Sequence, residues 1–169
     1  MTSLGLMKYF IGIEVTQSED SIFICQFRYA NDILKRFRMQ NCKPVVTPIA
    51  IGTKISRDDH GSDIDPTLFK QLVGSLEYLT ATRPDIMFGV SLISRFTESP
   101  KSTHWLVGKK ILRYVAGTRN YGIWYAYDFY FKLIGYTYSD FIGNIHNRRS
   151  TSRYVFSSGS SAVSWASMK

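Results

Sequence analysis

The sequence predicts an α+β fold, with a β-hairpin at its start, helices in its middle and antiparallel strands at its end. Three observations carry that prediction. Residues with β-branched and aromatic side chains concentrate at the two ends of the chain, where they favour strands. Between the ends, apolar residues recur every three or four positions, which is the helical period. Helix start and stop signals, Asp65-Pro66 and Gly117 among them, bracket those periodic stretches.

Two strand-like runs, residues 9–16 and 21–26, are separated by the polar "QSED" and read as a hairpin. In the first run Ile11, Ile13 and Val15 share one face and Phe10, Gly12 and Glu14 the other, so one face is expected to be well buried. The segment "RYANDILKRFRM" then sets Tyr29, Ile33, Leu34 and Phe37 at helical spacing, with Lys35, Arg36 and Arg38 outward. Residues 42–66 have three prolines and no period, and read as a long connection ending in a helix start. There the Asp65 carboxylate caps and Pro66 takes the first turn, ahead of an apolar stripe of Phe69, Leu72, Val73, Leu76 and Leu79.

Pro84 opens a further helix with Ile86, Val90, Ile93 and Phe96 inward, and Gly89 where a neighbour can approach closely. The last helix starts at Ser102 or Thr103, turns Val107, Ile111 and Val115 to the core, and stops at Gly117. Lys109, Lys110 and Arg113 share its other face. Short strands follow at residues 121–127, 130–138, 153–159 and 161–167.

The charge balance is basic, 21 Lys and Arg against 13 Asp and Glu, for a net charge of +8. Five cations and no acid lie between Lys101 and Asn120, and Arg148, Arg149, Arg153 and Lys169 follow Asp140 with no acid among them. A polyanion partner fits this distribution, although solubility alone also produces basic chains. No apolar run approaches the ~18 residues that span a bilayer, and the start lacks a signal-peptide pattern. No membrane partner is expected, and an intracellular location, cytoplasmic or nuclear, follows. Cys25 and Cys42 have neither metal-ligand nor CxxC spacing and read as reduced thiols. Asp58, Asp59, Asp63 and Asp65 cluster around His60, but not at the spacing of a Ca²⁺ loop, and read as a solvated connection rather than a metal site. His104 and His146 stand alone, His104 as a surface residue of the basic helix.

The fragments "MKYFIGIEV", "YANDILKRFRM", "VVTPI", "LVGSLEYLTATRPDIMFGVSLISRF", "HWLVGKKILRYVAGT" and "LIGYTYSDFIGN...RRSTSRYVF...SAVSWAS" follow one another in this order. Together they closely resemble the Pol polyprotein of copia-type LTR retrotransposons of plants, over essentially the whole chain. The resemblance implies three segments: residues 1–28 as a palm-derived primer-grip hairpin, 29–120 as a reverse transcriptase thumb and connection, and 121–169 as the first strands of a ribonuclease H domain.

It also implies what is missing. The family's ribonuclease H strand carries two aspartates, and the first resembles a metal-binding carboxylate; Tyr138 stands at that position here, and Asp140 at the second. Asp140 is displaced along the strand by ~7 Å and cannot substitute. Family enzymes use Mg²⁺, which two-metal hydrolysis holds between carboxylates, and a neutral phenol supplies no such ligand. No cofactor is therefore expected. Asn144, Asn147 and Arg153 depart from the family pattern as well, and Arg153, in place of a glycine, is expected to strain the strand entry by ~1 kcal/mol if that glycine serves a positive φ or close packing. The Tyr-X-Asp-Asp turn of the polymerase does not occur in these residues; the adjacent Asp58 and Asp59 lie in the irregular connection.

What the resemblance leaves is nucleic-acid contact. Gly12 of the hairpin would approach a primer backbone, while Lys35, Arg36 and Arg38 and then Lys109, Lys110 and Arg113 would meet phosphates of an RNA/DNA hybrid or duplex without sequence preference. No small-molecule substrate is implied. Three readings stay open: a catalytically silent remnant, a piece of a larger active RNA-directed DNA polymerase polyprotein, and a recruited nucleic-acid-binding module.

Overall fold

In the computed structural model, which describes residues 5–50, 52–53, 55–56, 60–127, 132–140, 151–159 and 161–168, helices and antiparallel sheets sort into two units. One comprises Met1–Tyr29, Thr82–Pro84 and Asn120–Lys169, the other Ala30–Ala81 and Asp85–Arg119. Asn144, His146, Asn147, Arg148, Arg149, Asp58, Asp59 and Lys169 lie outside the described residues.

The first unit holds the strands. A four-stranded sheet runs in the order β1 (Tyr9–Phe10), β2 (Ile13–Gln17), β3 (Ser21–Cys25) and β4 (Gly122–Ala126), all neighbours antiparallel. The expected single strand over residues 9–16 is broken. Ile11 and Gly12 both have positive φ, 42° and 72°, and form a two-residue reversal of the kind whose twist suits a hairpin. Glycine adopts that conformation freely, but the branched Ile11 pays ~1–2 kcal/mol for it. The shared face expected for Ile11, Ile13 and Val15 is lost, because the chain turns back between the first and the second of them.

The hairpin joins a distant partner: β3 pairs with β4 from Ser21↔Ala126 to Cys25↔Gly122, so residues from both ends of the chain complete one sheet. A second sheet has the order β5 (Leu133–Asp140), β6 (Thr151–Ser158) and β7 (Ser161–Met168). The Tyr125 hydroxyl of β4 donates to the carbonyl of Ala162 at 2.9 Å, and Ser161 Oγ donates to the carbonyl of Trp124, which ties the two sheets together. Burial pushes the Tyr125 phenol above its ordinary value, keeping the donor protonated.

The second unit is helical: α1 (Phe27–Arg36, from Ala30 onward), α2 (Pro66–Leu79), α3 (Met87–Ile93) and α4 (Ser102–Gly117), with a 3₁₀ turn on each side of α3. Its core follows the stripes that the periodicity marked, except on α4, where the expected Val107 is half-buried and Leu112 is fully buried instead. Phe69, Leu72, Val73, Leu76 and Leu79 of α2 are buried, as are Ile86, Val90, Ile93, Phe96, Ile111 and Val115. Asp65 accepts from Thr67 N at 2.8 Å and Pro66 is the first helical residue, as the start signal implied. Gly89 lets Ile49 and Ile111 approach to where a Cβ would lie only 2.8 and 3.1 Å from them, and Gly108 admits Leu72 in the same way.

In α1 the buried residues are Ala30, Ile33 and Leu34, whereas Phe37 is half-buried beyond the helix end. Arg38 is not on the helix face. It has φ 55°, its N–H bonds to the carbonyl of Lys35 at 3.0 Å, and Met39 N–H reaches back to Leu34 at 2.7 Å. These two bonds make a Schellman stop, whose left-handed residue is usually glycine. Replacing Arg38 by glycine is therefore expected to stabilise the unit by ~0.5–1 kcal/mol, read as a higher urea midpoint at unchanged slope. No helix among the described residues is long and apolar enough to cross a membrane.

Candidate nucleic-acid interface

Gly12 occupies the tip of the β1–β2 reversal, and the side chains around it are apolar and exposed: Met7, Tyr9, Phe10 and Ile11. One cation joins this surface that the linear sequence did not suggest. Arg28 lies 6.0 Å from the centre of the Tyr9 ring and 3.8 Å from Glu14, and its backbone N–H donates to Glu14 Oε1 at 2.8 Å. Only the β2–β3 pairing, which opposes Glu14 and Cys25, brings Arg28 there.

In the helical unit, Lys35 and Arg36 occupy the last turn of α1, where cations also complement the helix dipole, and Arg38 follows in the cap. All three are exposed, and Arg36 Nη1 donates to Ser75 Oγ at 3.1 Å. On α4 and the residues that flank it, the five cations of the acid-free stretch divide by role. Lys101 pairs with Asp63 at 2.8 Å. Arg113 Nε donates to the carbonyl of Lys43 at 2.8 Å. Arg119 donates to the carbonyls of Ala116 and Gln40 and to Asn31 Oδ1. Lys109 places Nζ 5.7 Å from the centre of the Trp105 ring. Lys110 lies beside it, half-buried, as Lys109 is. Of the three α4 residues expected at phosphates, Arg113 thus also anchors the loop after α1.

The described aspartates of the acidic cluster have local duties, Asp63 at Lys101 and Asp65 at the α2 start. Among the described residues, no three His, Cys, Asp or Glu side chains converge as a metal-binding group. His104 is not a surface residue. It is fully buried, stacked on Phe96 with ring centres 4.0 Å apart; its Nδ1 accepts from Lys101 N–H at 2.9 Å and its Nε2 lies 2.9 Å from the carbonyl of Ser56. Lys101, rather than Ser102 or Thr103, is the residue before α4, and His104 supplies the acceptor that a capping side chain would. Burial pushes the Cys25 thiol up, a backbone bond at Phe27 pulls it back and Glu14 raises it again, so the thiol is held above its ordinary value.

On β5, Tyr138 stands directly opposite Arg153 of β6, and the guanidinium carbon lies 5.4 Å from the centre of the phenol ring. Two residues that the resemblance singled out thus contact each other as a cation–π pair. Arg153 does not have a positive φ: Ile11 and Arg38 are the non-glycine residues with positive φ among those described. Asp140 sits two residues along the same strand, opposite Thr151.

Comparison with known proteins places this geometry in context. The family described as "Reverse transcriptase (RNA-dependent DNA polymerase)" matches residues 1–51. The chain is 36% identical over 163 residues to the retrovirus-related Pol polyprotein from transposon RE2 of Arabidopsis thaliana, covering 96% of this chain and 11% of that protein. It is 35% identical over 176 residues to the corresponding polyprotein from transposon TNT 1-94 of Nicotiana tabacum, covering 99% and 13%. An uncharacterised mitochondrial protein of Arabidopsis thaliana is 32% identical over 171 residues, covering 100% of this chain and 70% of that one. No solved structure matches.

Proposed function

Because the chain belongs to the family of Pol polyproteins of copia-type retrotransposons, we propose that it is a reverse-transcriptase-derived segment that carries out no phosphodiester chemistry of its own and retains sequence-independent contact with RNA/DNA hybrid or duplex. In this reading, residues 1–28 derive from the palm and its primer grip, 29–120 from thumb and connection, and 121–169 from the first strands of a ribonuclease H domain. The Tyr138–Arg153 pair is the observation that carries it. A nuclease position needs negative charge to hold divalent cations ~4 Å apart; here a neutral ring stands in its place and a guanidinium lies against it, so the local field opposes Mg²⁺.

The test has two arms. With Mg²⁺ present, the protein is expected neither to extend a primed template nor to cleave a hybrid, and Tyr138→Asp alone to remain inactive, since the new carboxylate would pair with Arg153. Cleavage that a chelator abolishes would overturn the silent reading. In the second arm, fluorescence anisotropy should give hybrid binding with a dissociation constant of ~10⁻⁴ to 10⁻⁶ M at physiological salt. The logarithm of affinity should fall with log salt, and Lys109→Ala with Lys110→Ala should make that slope shallower by ~2. A flat salt dependence would remove the nucleic-acid part of the reading.

Two alternatives have observations of their own. The chain spans 11 to 13% of the length of the transposon polyproteins, which favours a piece of a larger RNA-directed DNA polymerase. It covers 70% of the mitochondrial relative, a protein separate from any polyprotein, which favours a separate module. Polymerase activity regained on co-expression with the preceding polyprotein segment would select the first.

A further inference from the structure

Two acid-free stretches of the chain meet within the helical unit. Residues 33–50 hold Lys35, Arg36, Arg38 and Lys43, residues 101–119 hold five further cations, and neither stretch contains Asp or Glu. The segment after α1 lies along α4. Phe37 meets Trp105 edge to face with ring centres 6.2 Å apart, Arg113 Nε donates to the carbonyl of Lys43 at 2.8 Å, and Arg119 Nη2 donates to the carbonyl of Gln40 at 2.8 Å. Lys109 Nζ lies 5.7 Å from the centre of the same indole that Phe37 touches, so the charges of both stretches border one aromatic pair. Within this segment Arg38 stands out. Its φ is 55°, at a helix stop where glycine is the usual residue. Glycine would close α1 equally well and without strain, yet an arginine is there. Arg36, Arg113 and Arg119 are occupied with Ser75, Lys43 and Gln40, whereas the Arg38 side chain is exposed and has no hydrogen bond or ion pair among the described residues. The fold itself gains nothing from this guanidinium.

We propose that Arg38 is a phosphate-binding residue held in strained backbone, and that it joins Lys109 and Lys110 in a single site, which takes the sugar-phosphate backbone of an RNA/DNA hybrid or duplex across the end of α1 and the face of α4. This rests on the nucleic-acid part of the proposed function and adds that the two cationic clusters act together, with Phe37 and Trp105 fixing one against the other. Backbone strain that the fold does not need is a mark of a site that binds. A guanidinium suits the task, because its planar fork of donors matches two phosphate oxygens at once. The Schellman stop sets where the fork starts, since it fixes the backbone of Arg38 through the bonds of Arg38 N–H to Lys35 and of Met39 N–H to Leu34. Lys109 is likewise held ready beside Trp105.

Anisotropy titration of a labelled RNA/DNA hybrid with the full chain tests this. Arg38→Gly should unfold at a higher urea midpoint and yet bind the hybrid ~5- to 10-fold more weakly at about 0.1 M salt, with a log–log salt slope shallower by ~1, because one phosphate contact is lost. Greater stability with weaker binding cannot come from misfolding. Arg38→Lys should keep the slope and most of the affinity, and Lys70→Ala, which removes an exposed cation of α2 outside the site, should change neither. With Trp124 and Trp165 replaced by phenylalanine, the hybrid should alter Trp105 emission in step with the anisotropy, because a phosphate that draws on Lys109 changes the field at the indole. A slope that Lys109→Ala with Lys110→Ala reduces but Arg38→Gly leaves untouched would overturn the single site and leave the wider reading standing. No salt-dependent binding by the unaltered chain would overturn both.

Discussion

Replacing Gly122 by alanine is expected to destabilise the strand-bearing unit by ~3 kcal/mol or more, enough to unfold it in mild urea. The added Cβ would overlap the carbonyl oxygen of Ile24 and lie 2.8 Å from Cys25 Cβ and 2.9 Å from the Phe23 ring. Backbone cannot yield to it as the end of a flexible side chain would, so β3 and β4 must part. Their separation exposes Ile123, which is 5% accessible, and breaks the contact of Phe23 with Trp124, whose ring centres are 5.9 Å apart. The measurement is urea unfolding in a Trp105→Phe background, where Trp124 and Trp165 report on this unit alone. A midpoint lowered by ~1.5 M is expected for a slope of ~2 kcal/mol/M. Gly74→Ala is the control. Gly74 lies on the exposed face of α2 with open space where its Cβ would be, and the same substitution there should stabilise by ~1 kcal/mol. A loss below ~1 kcal/mol at Gly122 would mean that β3 and β4 do not meet as described.

His104→Ala is expected to cost the helical unit ~3–4 kcal/mol, from the emptied ring volume and the lost acceptor for Lys101 N–H. The ring fills a pocket between Phe96 and Phe69, whose ring centre lies 6.5 Å away, and its two nitrogens hold the start of α4 and the carbonyl of Ser56. His104→Asn separates these contributions, because an amide oxygen can still accept from Lys101 N–H. It should recover ~1 kcal/mol, the usual worth of an N-terminal cap. Equal losses for both variants would assign the whole effect to packing; a negligible loss for either would contradict the buried placement. Unfolding followed by Trp105 fluorescence, with Trp124 and Trp165 replaced by phenylalanine, reads this unit.

These two residues mark how far the candidate site was legible. Lys35, Arg36, Lys109, Lys110 and Arg113 could be named from a helical period and a run without acids, because both are properties of neighbouring residues. Their actual duties could not. Arg113 anchors Lys43, 70 positions away, and Arg119 reaches Gln40, 79 positions away, and no local pattern records either partner. Arg28 was overlooked for the same reason, since its place beside Tyr9 depends on β2 folding back on β3. Arg83 is a further case, a cation only 2% exposed that stacks over Tyr121. Tyr138 was singled out from the resemblance alone, while its contact with Arg153 required the β5–β6 register.

By itself the sequence determined the order of helices and strands, the apolar stripes of α2 and α3, the Asp65-Pro66 start and membership of the Pol polyprotein family. Each of these rests on interactions within a few residues or on ancestry written along the chain. The tertiary structure decided which glycine must remain glycine, which histidine is buried, where the first strand reverses and which cations are tied down. Those outcomes depend on contacts between residues distant in sequence, and the same side chain is exposed or enclosed according to what the fold brings against it.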